Sequence, residues 1–325
     1  MKKYDVTALG ELLIDFTENG KSNQGNPIFE ANPGGAPCNV LAMLAKLGHN
    51  TAFIGKVGND FFGDQLRAAI KEAGIDDVGL CTDKKIHTTL AMVHTYPDGD
   101  RDFSFYRNPG ADMMLNKTEI PEDILKETGI FHFGTLSMTH EGVREATKEA
   151  IRIAKEAGAV ISFDPNLRPP LWESLEVAKE QVLYGLEQCQ ILKISDNEIQ
   201  WLTGEEDYTA GVNWIRERYE IPMILVSMGK AGSRAYYNGL VVEAKPFLQK
   251  STIETTGAGD TFCGCVLHYI CEHGIDGLKE DDLTEMLNFA NVAASIITTR
   301  KGALRVMPEQ EEIQQYLNTI RNANK

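Results

Sequence analysis

The sequence predicts an α/β fold, a doubly wound and mainly parallel sheet with helices on both faces, plus a small β excursion. Three observations carry this. Short apolar runs alternate with stretches of helical periodicity along most of the chain. The last quarter turns helical. Two polar or turn-centred segments break the alternation and must sit off the main sheet.

Taken in order, VTALG (Val6–Gly10) reads as a first buried strand. Pro37 to Leu47 then follows helical spacing, with Val40, Leu41, Leu44 and Leu47 apolar and Gly48 as a stop signal. TAFIGKVG returns as a strand, and Phe61 to Ala73 is helical up to Gly74. IFHFG, AVISFD, CQILKI and MILVSMG are further buried strands. Helical stretches lie between them, including His140–Ala157 and Leu175–Glu187. Ala235–Tyr237 through Asn238-Gly239 to Val241 reads as an edge hairpin. The closing helices are expected at Gly257–Glu272, Asp282–Thr298 and Pro308–Thr319. The interruptions are Asn19 to Pro33, polar and rich in turn residues with Asn19-Gly20 and two prolines, and a hairpin from Thr88–Tyr96 through Pro97-Asp98-Gly99-Asp100 to Arg101–Tyr106. Either a flap over a site or a structural edge hairpin fits them.

The 325 residues allow one large α/β domain or two smaller ones. A formal net charge of −15 argues against nucleic acid and against an anionic membrane surface as partner. No secretory signal or apolar membrane-length run is visible, so the cytoplasm is the expected location. The six cysteines form no CxxC pair and the seven histidines no HExxH, so ordinary packing or surface roles are expected for both.

In open parallel sheets, ligands bind beyond the carboxyl ends of the strands. Polar residues follow almost every strand here: Glu11 and Asp15, Asn59 and Asp60, Asp164 to Arg168, Ser195 to Glu198, and Ser227 to Gly232. That pattern suggests one long site. The stretch TTGAGDTFCG (Thr255–Gly264) opens a long helix with glycines and an acid. A helix N-terminus offers free amides and a positive dipole end, so Gly257 to Asp260 reads either as an anion site or as a plain capped helix. GxxxxGK[ST] is absent, and Phe262 stands where GxGxxG needs glycine. Asp260 is expected to be held ionised by the dipole. A carboxylate inside an anion site is unhelpful for binding, but it fits a base that takes the proton of an attacking hydroxyl. In NPGGAPCNV, Gly34 and Gly35 allow close backbone approach and Asn39 lies on the next helical turn; with Asp15 they could hold a polyol, or form a tight capped loop.

GELLIDF, PGGAPCNVLAMLAKLG, IGKVGNDFFG, FYRNPGAD, FDPNLRPPLW, SxxE at Ser195–Glu198, SMGKAG and TTGAGDTF occur in this order. From about Val6 to Pro308 the chain resembles the ribokinase-like (phosphofructokinase-B) carbohydrate kinases, and within them bacterial fructokinases. The resemblance implies one ribokinase-like domain over 1–325, with a β-sheet lid from excursions at about 16–33 and 86–110. It implies transfer of the ATP γ-phosphoryl group to a sugar hydroxymethyl, with fructose 6-phosphate as the expected product. 2-keto-3-deoxygluconate kinase and aminoimidazole riboside kinase are the near alternatives. A nicotinamide dehydrogenase and a non-catalytic sugar-binding protein are the distant ones.

By resemblance, Asp260 is the base and the amides of Gly257, Ala258 and Gly259 form the anion hole. Asp15, Gly34, Gly35 and Asn39 match sugar-binding positions; Phe105, Arg107 and Arg168 would reach the sugar, with surface ion pairing as the other reading of the arginines. Ser227, Gly229, Gly232 and Asn291 match the nucleotide side. Lys193 would reach phosphate or stay solvated. Glu198 is tied to magnesium or is only the acid of a Ser-x-x-Glu capping box. Glu254 stands where the family usually has Asp, which puts the family's potassium site in question. ATP, Mg2+ and K+ are thus the expected cofactors, and pairing of lids into a homodimer is a further expectation.

Overall fold

A computed structural model describes residues 2–95, 101–249 and 251–323. The expected Pro97–Asp100 turn lies outside the described residues.

The elements are β1 (Tyr4–Leu9), β2 (Leu13–Lys21), β3 (Pro27–Gly34), α1 (Ala36–Lys46), β4 (Thr51–Gly58), α2 (Phe61–Glu72), β5 (Ile75–Asp83), β6 (Leu90–Thr95) and β7 (Arg101–Tyr106). They continue with α3 (Glu122–Lys126), β8 (Thr128–Gly134), α4 (Glu141–Glu156), β9 (Val160–Asp164), α5 (Leu175–Gln188), β10 (Ile191–Ser195), α6 (Asp196–Thr203) and α7 (Tyr208–Arg216). Last come β11 (Met223–Ser227), β12 (Ser233–Tyr237), β13 (Leu240–Ala244), α8 (Ala258–His273), α9 (Glu280–Ile297) and α10 (Gln310–Ala323).

The main sheet has nine strands in the order β13-β12-β11-β10-β9-β8-β1-β4-β5. All pairings from β11 to β5 are parallel, and β12 and β13 close one edge antiparallel. Because these strands are buried on both faces, they are near-continuous apolar runs rather than alternating ones; all eight residues of β4 are buried. One core layer packs α1, α2, α8 and α9 on one face of the sheet, and a second packs α4, α5, α6 and α7 on the other. Strand order reverses at β1, which runs between β8 and β4. Crevices open at such a reversal, and the polar residues after β1 and β9 converge there with Lys193 of β10.

The four-stranded second sheet has the order β3-β2-β6-β7. The first excursion begins at Leu13, earlier than 16, because Leu13 and Ile14 are buried at its root. Asn19-Gly20 does not form the turn. Gly20 sits at φ 84° within β2, where the register shifts between Glu18 and Lys21, and the chain reverses at Ser22–Asn26. Asp60 ties this sheet to the main one. As the N-cap of α2 its Oδ1 accepts from the Gly63 amide, and it also accepts from the Thr88 amide and hydroxyl, each at 2.8 Å. Asp60 is thus a capping residue, and both Asn59 and Asp60 lie outside the cavity described next. No helix among the described residues is long and apolar enough to cross a membrane.

Candidate active site

A cavity of about 210 Å³ lies beyond the carboxyl ends of β1, β9 and β10. Asp260, Gly257 and Gly259 of the α8 start, Asp15, Gly35 and Asn39 of the first crossover, and Phe105, Arg168 and Lys193 all line it. Nine of the sequence-expected residues therefore meet in one place, although they are spread over 246 positions from Asp15 to Asp260.

Asp260 sits in the first turn of α8, half-buried on the cavity wall. Its Oδ2 accepts a 2.8 Å hydrogen bond from the Asn39 side-chain amide. Burial pushes its pKa up to about 6; the Asn39 bond opposes the rise, Asp164 adds to it, and Lys193 and Arg168 counter it. With that value the acid is still ionised at neutral pH, as expected, but its pKa is raised rather than held down at the helix end. Desolvation outweighs the dipole and sets the group where a general base works best, near the operating pH. The Asn39 Oδ1 atom is buried without a partner, an acceptor left open beside the base.

Glycine is required at three points around this base. Gly257 is the N-cap of α8 at φ 74°, and a Cβ there would come within 2.7 Å of the Ala303 Cβ. Gly34 lets the Asp15 carboxylate in, since its Cβ would stand 2.4 Å from Asp15 Oδ2. Gly35 has φ 128°, and its Cβ would meet the Glu11 carbonyl at 2.3 Å. Gly35→Ala is therefore expected to lower stability by about 3 kcal/mol or more, read as a lower urea midpoint at unchanged m.

Lys193 is buried and pairs with Asp164 at 2.9 Å. Burial works against its charge, but Asp164 and then Glu198 hold its pKa above the ordinary lysine value. The solvated-lysine alternative does not hold. A Cβ on Gly259 would stand 3.2 Å from its Nζ, so the ammonium lies against the first turn of α8. Arg168 donates to the Leu167 carbonyl at 3.1 Å and has no carboxylate within 4 Å among the described residues, which leaves a guanidinium facing the cavity.

Other expected residues lie elsewhere. Arg107 does not line the cavity. It is buried, with its Nε 2.7 Å from Asp112 Oδ2, and it donates to Thr139 Oγ1 and the Leu136 carbonyl. Leu136 borders the cavity, so Arg107 acts on it from behind. Ala258 is also off the lining, and its amide donates to the Thr255 carbonyl at 3.3 Å. Glu198 forms the capping box: Oε2 accepts from the Ser195 amide and hydroxyl at 2.8 Å, and Oε1 accepts from the Leu167 amide at 2.7 Å. It thereby fixes the loop that carries Arg168. Glu254 accepts from the Gly302 amide at 2.7 Å.

Ser227 ends β11, and Gly229 and Gly232 form the turn after it. Asn291 accepts from Ser233 Oγ at 2.9 Å and donates to the Lys245 carbonyl at 3.1 Å, which locks α9 to β12 and to the end of β13. These four lie off the cavity lining, toward the antiparallel edge of the sheet.

Sequence reasoning assigned no role to Glu11, which lines the cavity as well. It is buried, accepts from the Ala36 amide at 2.8 Å, and has its pKa raised to about 7 by burial. Its place after the first strand was the available signal. Asp164, the partner of Lys193, was likewise visible only as a strand-end acid.

A crevice at a strand-order reversal, a helix N-terminus with a perturbed acid, and glycine turns on both sides define a group-transfer enzyme of the α/β class. The chain belongs to the pfkB family of carbohydrate kinases, whose model matches residues 3–310. It is 40% identical over 314 residues to fructokinase-1 of Zea mays, covering 96% of this chain and 97% of that protein. Fructokinase-2 of Solanum lycopersicum is 39% identical over 312 residues, covering 94% of each. The fold is that of the fructokinase of Xylella fastidiosa with bound ATP, with TM-score 0.89, 30% identity, and coverage of 99% of this chain and 100% of that one. A double mutant of the Vibrio cholerae O395 fructokinase, in a fructose-, ADP- and potassium-bound form, gives TM-score 0.87 at 27% identity over 98% of this chain and 99% of that one.

Proposed function

We propose that this chain transfers the γ-phosphoryl group of ATP to the terminal hydroxymethyl of fructose, giving fructose 6-phosphate. The observation that carries the reading is Asp260: a carboxylate poised near pH 6 at a helix N-terminus, inside a cavity lined by hydroxyl-binding groups. Similarity to fructokinases of two plants and two bacteria supports the choice of sugar. Asp15, Asn39 and the Gly35 turn hold sugar hydroxyls, and Arg168 adds a charged donor. The attacking oxygen forms its bond to the γ-phosphorus as the bond to the ADP oxygen breaks, and the hydroxyl proton passes to Asp260. The amides of Gly257, Gly259 and Asp260 and the Lys193 ammonium face the transferred group and offset its charge. Ser227, Gly229, Gly232 and Asn291 shape the nucleotide side.

Magnesium fits as an ion held chiefly by nucleotide phosphates and water. Asp164 and Glu198 are the carboxylates closest to Lys193 in electrostatic influence, but both carboxylates already accept protein hydrogen bonds, so any hold is indirect. The ion would supply charge neutralisation on the phosphates. For potassium, Glu254 Oε1 accepts from the Gly302 amide, which leaves the second oxygen to face an ion whose remaining ligands would be loop oxygens. The second sheet is read as a lid that carries Phe105 over the sugar and excludes water. Exposed Ile28, Phe29 and Tyr106 on that sheet fit pairing of two lids in a homodimer.

An ADP-release assay over fructose, ribose, 2-keto-3-deoxygluconate and aminoimidazole riboside tests the reading. Fructose is expected to give the highest kcat/KM; a clear preference for another substrate contradicts it. Arg168→Ala is expected to raise the sugar KM about 10- to 100-fold, the worth of one charge-assisted hydrogen bond. An unchanged KM would move Arg168 off the sugar.

A further inference from the structure

At the opposite end of the sheet from the cavity, two histidines and a glutamate converge. His268 and Glu272 are four residues apart on α8, so one helix face presents both. His49 comes from the loop between α1 and β4. Its Nε2 is hydrogen-bonded to His268 Nδ1 at 2.7 Å, a contact whose shared proton a bound cation would replace, and lies 3.9 Å from Glu272 Oε1. All three ligand atoms lie within 4.8 Å of one another. Ligand atoms around a tetrahedral zinc ion stand about 3.3 Å apart, so these separations bracket what an ion needs.

The surroundings favour ligation. Asp5 Oδ2 is 3.5 Å from His49 Nδ1 and is fixed by the Asn50 amide at 2.9 Å. A carboxylate on this side of the ring favours a proton on Nδ1, the tautomer that would leave Nε2 bare toward the cluster, as in metal-bound histidines. The His49 side chain is 6% exposed and that of Glu272 56%, so the site is walled on one side and open to an entering ion and water on the other.

We propose that His49, His268 and Glu272 form a binding site for a borderline transition-metal cation such as Zn2+, with Asp5 orienting His49. Two nitrogens and one oxygen suit zinc, cobalt or nickel rather than magnesium. The site lies at the amino ends of β1 and β4, while the cavity lies beyond the carboxyl ends of the strands. It joins the far half of α8 to the sheet, about 12 Å along the helix from Asp260. Its role is to anchor the helix whose first turn carries the base, and it takes no part in the chemistry.

The test uses the full chain, freed of metal by chelation and free of nucleotide. Equilibrium dialysis against ZnCl2 is expected to show one ion per chain, and Zn2+ is expected to raise the melting temperature. Co2+ in its place should give d–d absorption without a thiolate charge-transfer band, which separates this site from Cys81 and Cys271. His268→Gln should abolish the binding and the thermal shift, and Glu272→Gln and Asp5→Asn should each weaken affinity about tenfold or more. The site is overturned by no stoichiometric binding, by a thiolate band, or by binding that survives His268→Gln. Should His268→Gln fail to fold, Glu272→Gln, at an exposed position, decides: undiminished affinity there overturns the site.

Discussion

Asp260→Asn is expected to lower kcat for sugar phosphorylation by about 10²- to 10⁴-fold, the usual worth of a positioned general base. The substitution keeps the size of the side chain and an oxygen that can accept from Asn39, so the KM values for sugar and ATP should change far less than kcat. In the unsubstituted enzyme the base must be ionised, so kcat/KM should fall as pH drops through about 6, the raised value of Asp260. That acid limb should vanish from the residual activity of the variant. Stability should move the other way. Asp260 has a higher pKa folded than unfolded, so the folded state holds its proton more tightly. Stability is therefore greatest below the ordinary aspartate range, falls as pH rises to about 6, and stays lowered above it. The raised pKa corresponds to a cost on the order of 3 kcal/mol at neutral pH, and Asp260→Asn should recover a good part of it. A variant that is less active and more stable to urea is the signature of a base held in a desolvated site. Normal turnover would remove Asp260 from the chemistry.

Lys193→Met should have the largest effect on stability. Lys193 and Asp164 are 7% and 3% exposed, and their charged atoms are 2.9 Å apart. Removing one member of a buried pair strands the other, which costs about 3–5 kcal/mol. Adding Asp164→Asn should restore much of that loss, because the stranded charge disappears; thermal unfolding of the three variants reads the cycle. Activity should also drop, because the ammonium against Gly259 is gone. The acid limb of kcat/KM should move above 6, since Lys193 is one of the charges that holds the Asp260 pKa down. An unshifted limb would mean that Lys193 and Asp260 do not feel each other.

The parallel core was legible because its strands are apolar on both faces and its helices stop at Gly48, Gly74 and Gly158, all with positive φ. β5 escaped notice: IDDVGLCTD carries three acids and a glycine, and as an edge strand it needs no continuous apolar run, since Asp76, Asp77 and Asp83 are partly buried against Tyr4, Arg67 and Lys56. Asn19-Gly20 suggested a turn, but residues downstream reverse the chain. Of the site, the glycine turns and Asp260 were readable because backbone geometry and helix-end electrostatics are local.

What was not local could not be read. The Asp260 pKa depends on Asn39, which lies 221 positions away in sequence. Arg107 looked like a substrate arginine, but Asp112 and the Leu136 carbonyl claim it. Glu198 satisfied both of its readings on paper, and the capping box is the one its hydrogen bonds form. The His49 cluster had no sequence signal, because the i,i+4 pair on α8 is completed by a loop near the start of the chain.

The most direct test of the central claim is the structure of the reaction product. The protein should be incubated with fructose, ATP and magnesium, and the sugar product examined by phosphorus–proton correlation NMR. We predict a single phosphorylated sugar carrying its phosphate on the C6 hydroxymethyl, formed in step with ADP. Phosphate on another carbon, or ADP formed with inorganic phosphate and no sugar phosphate, would contradict the account.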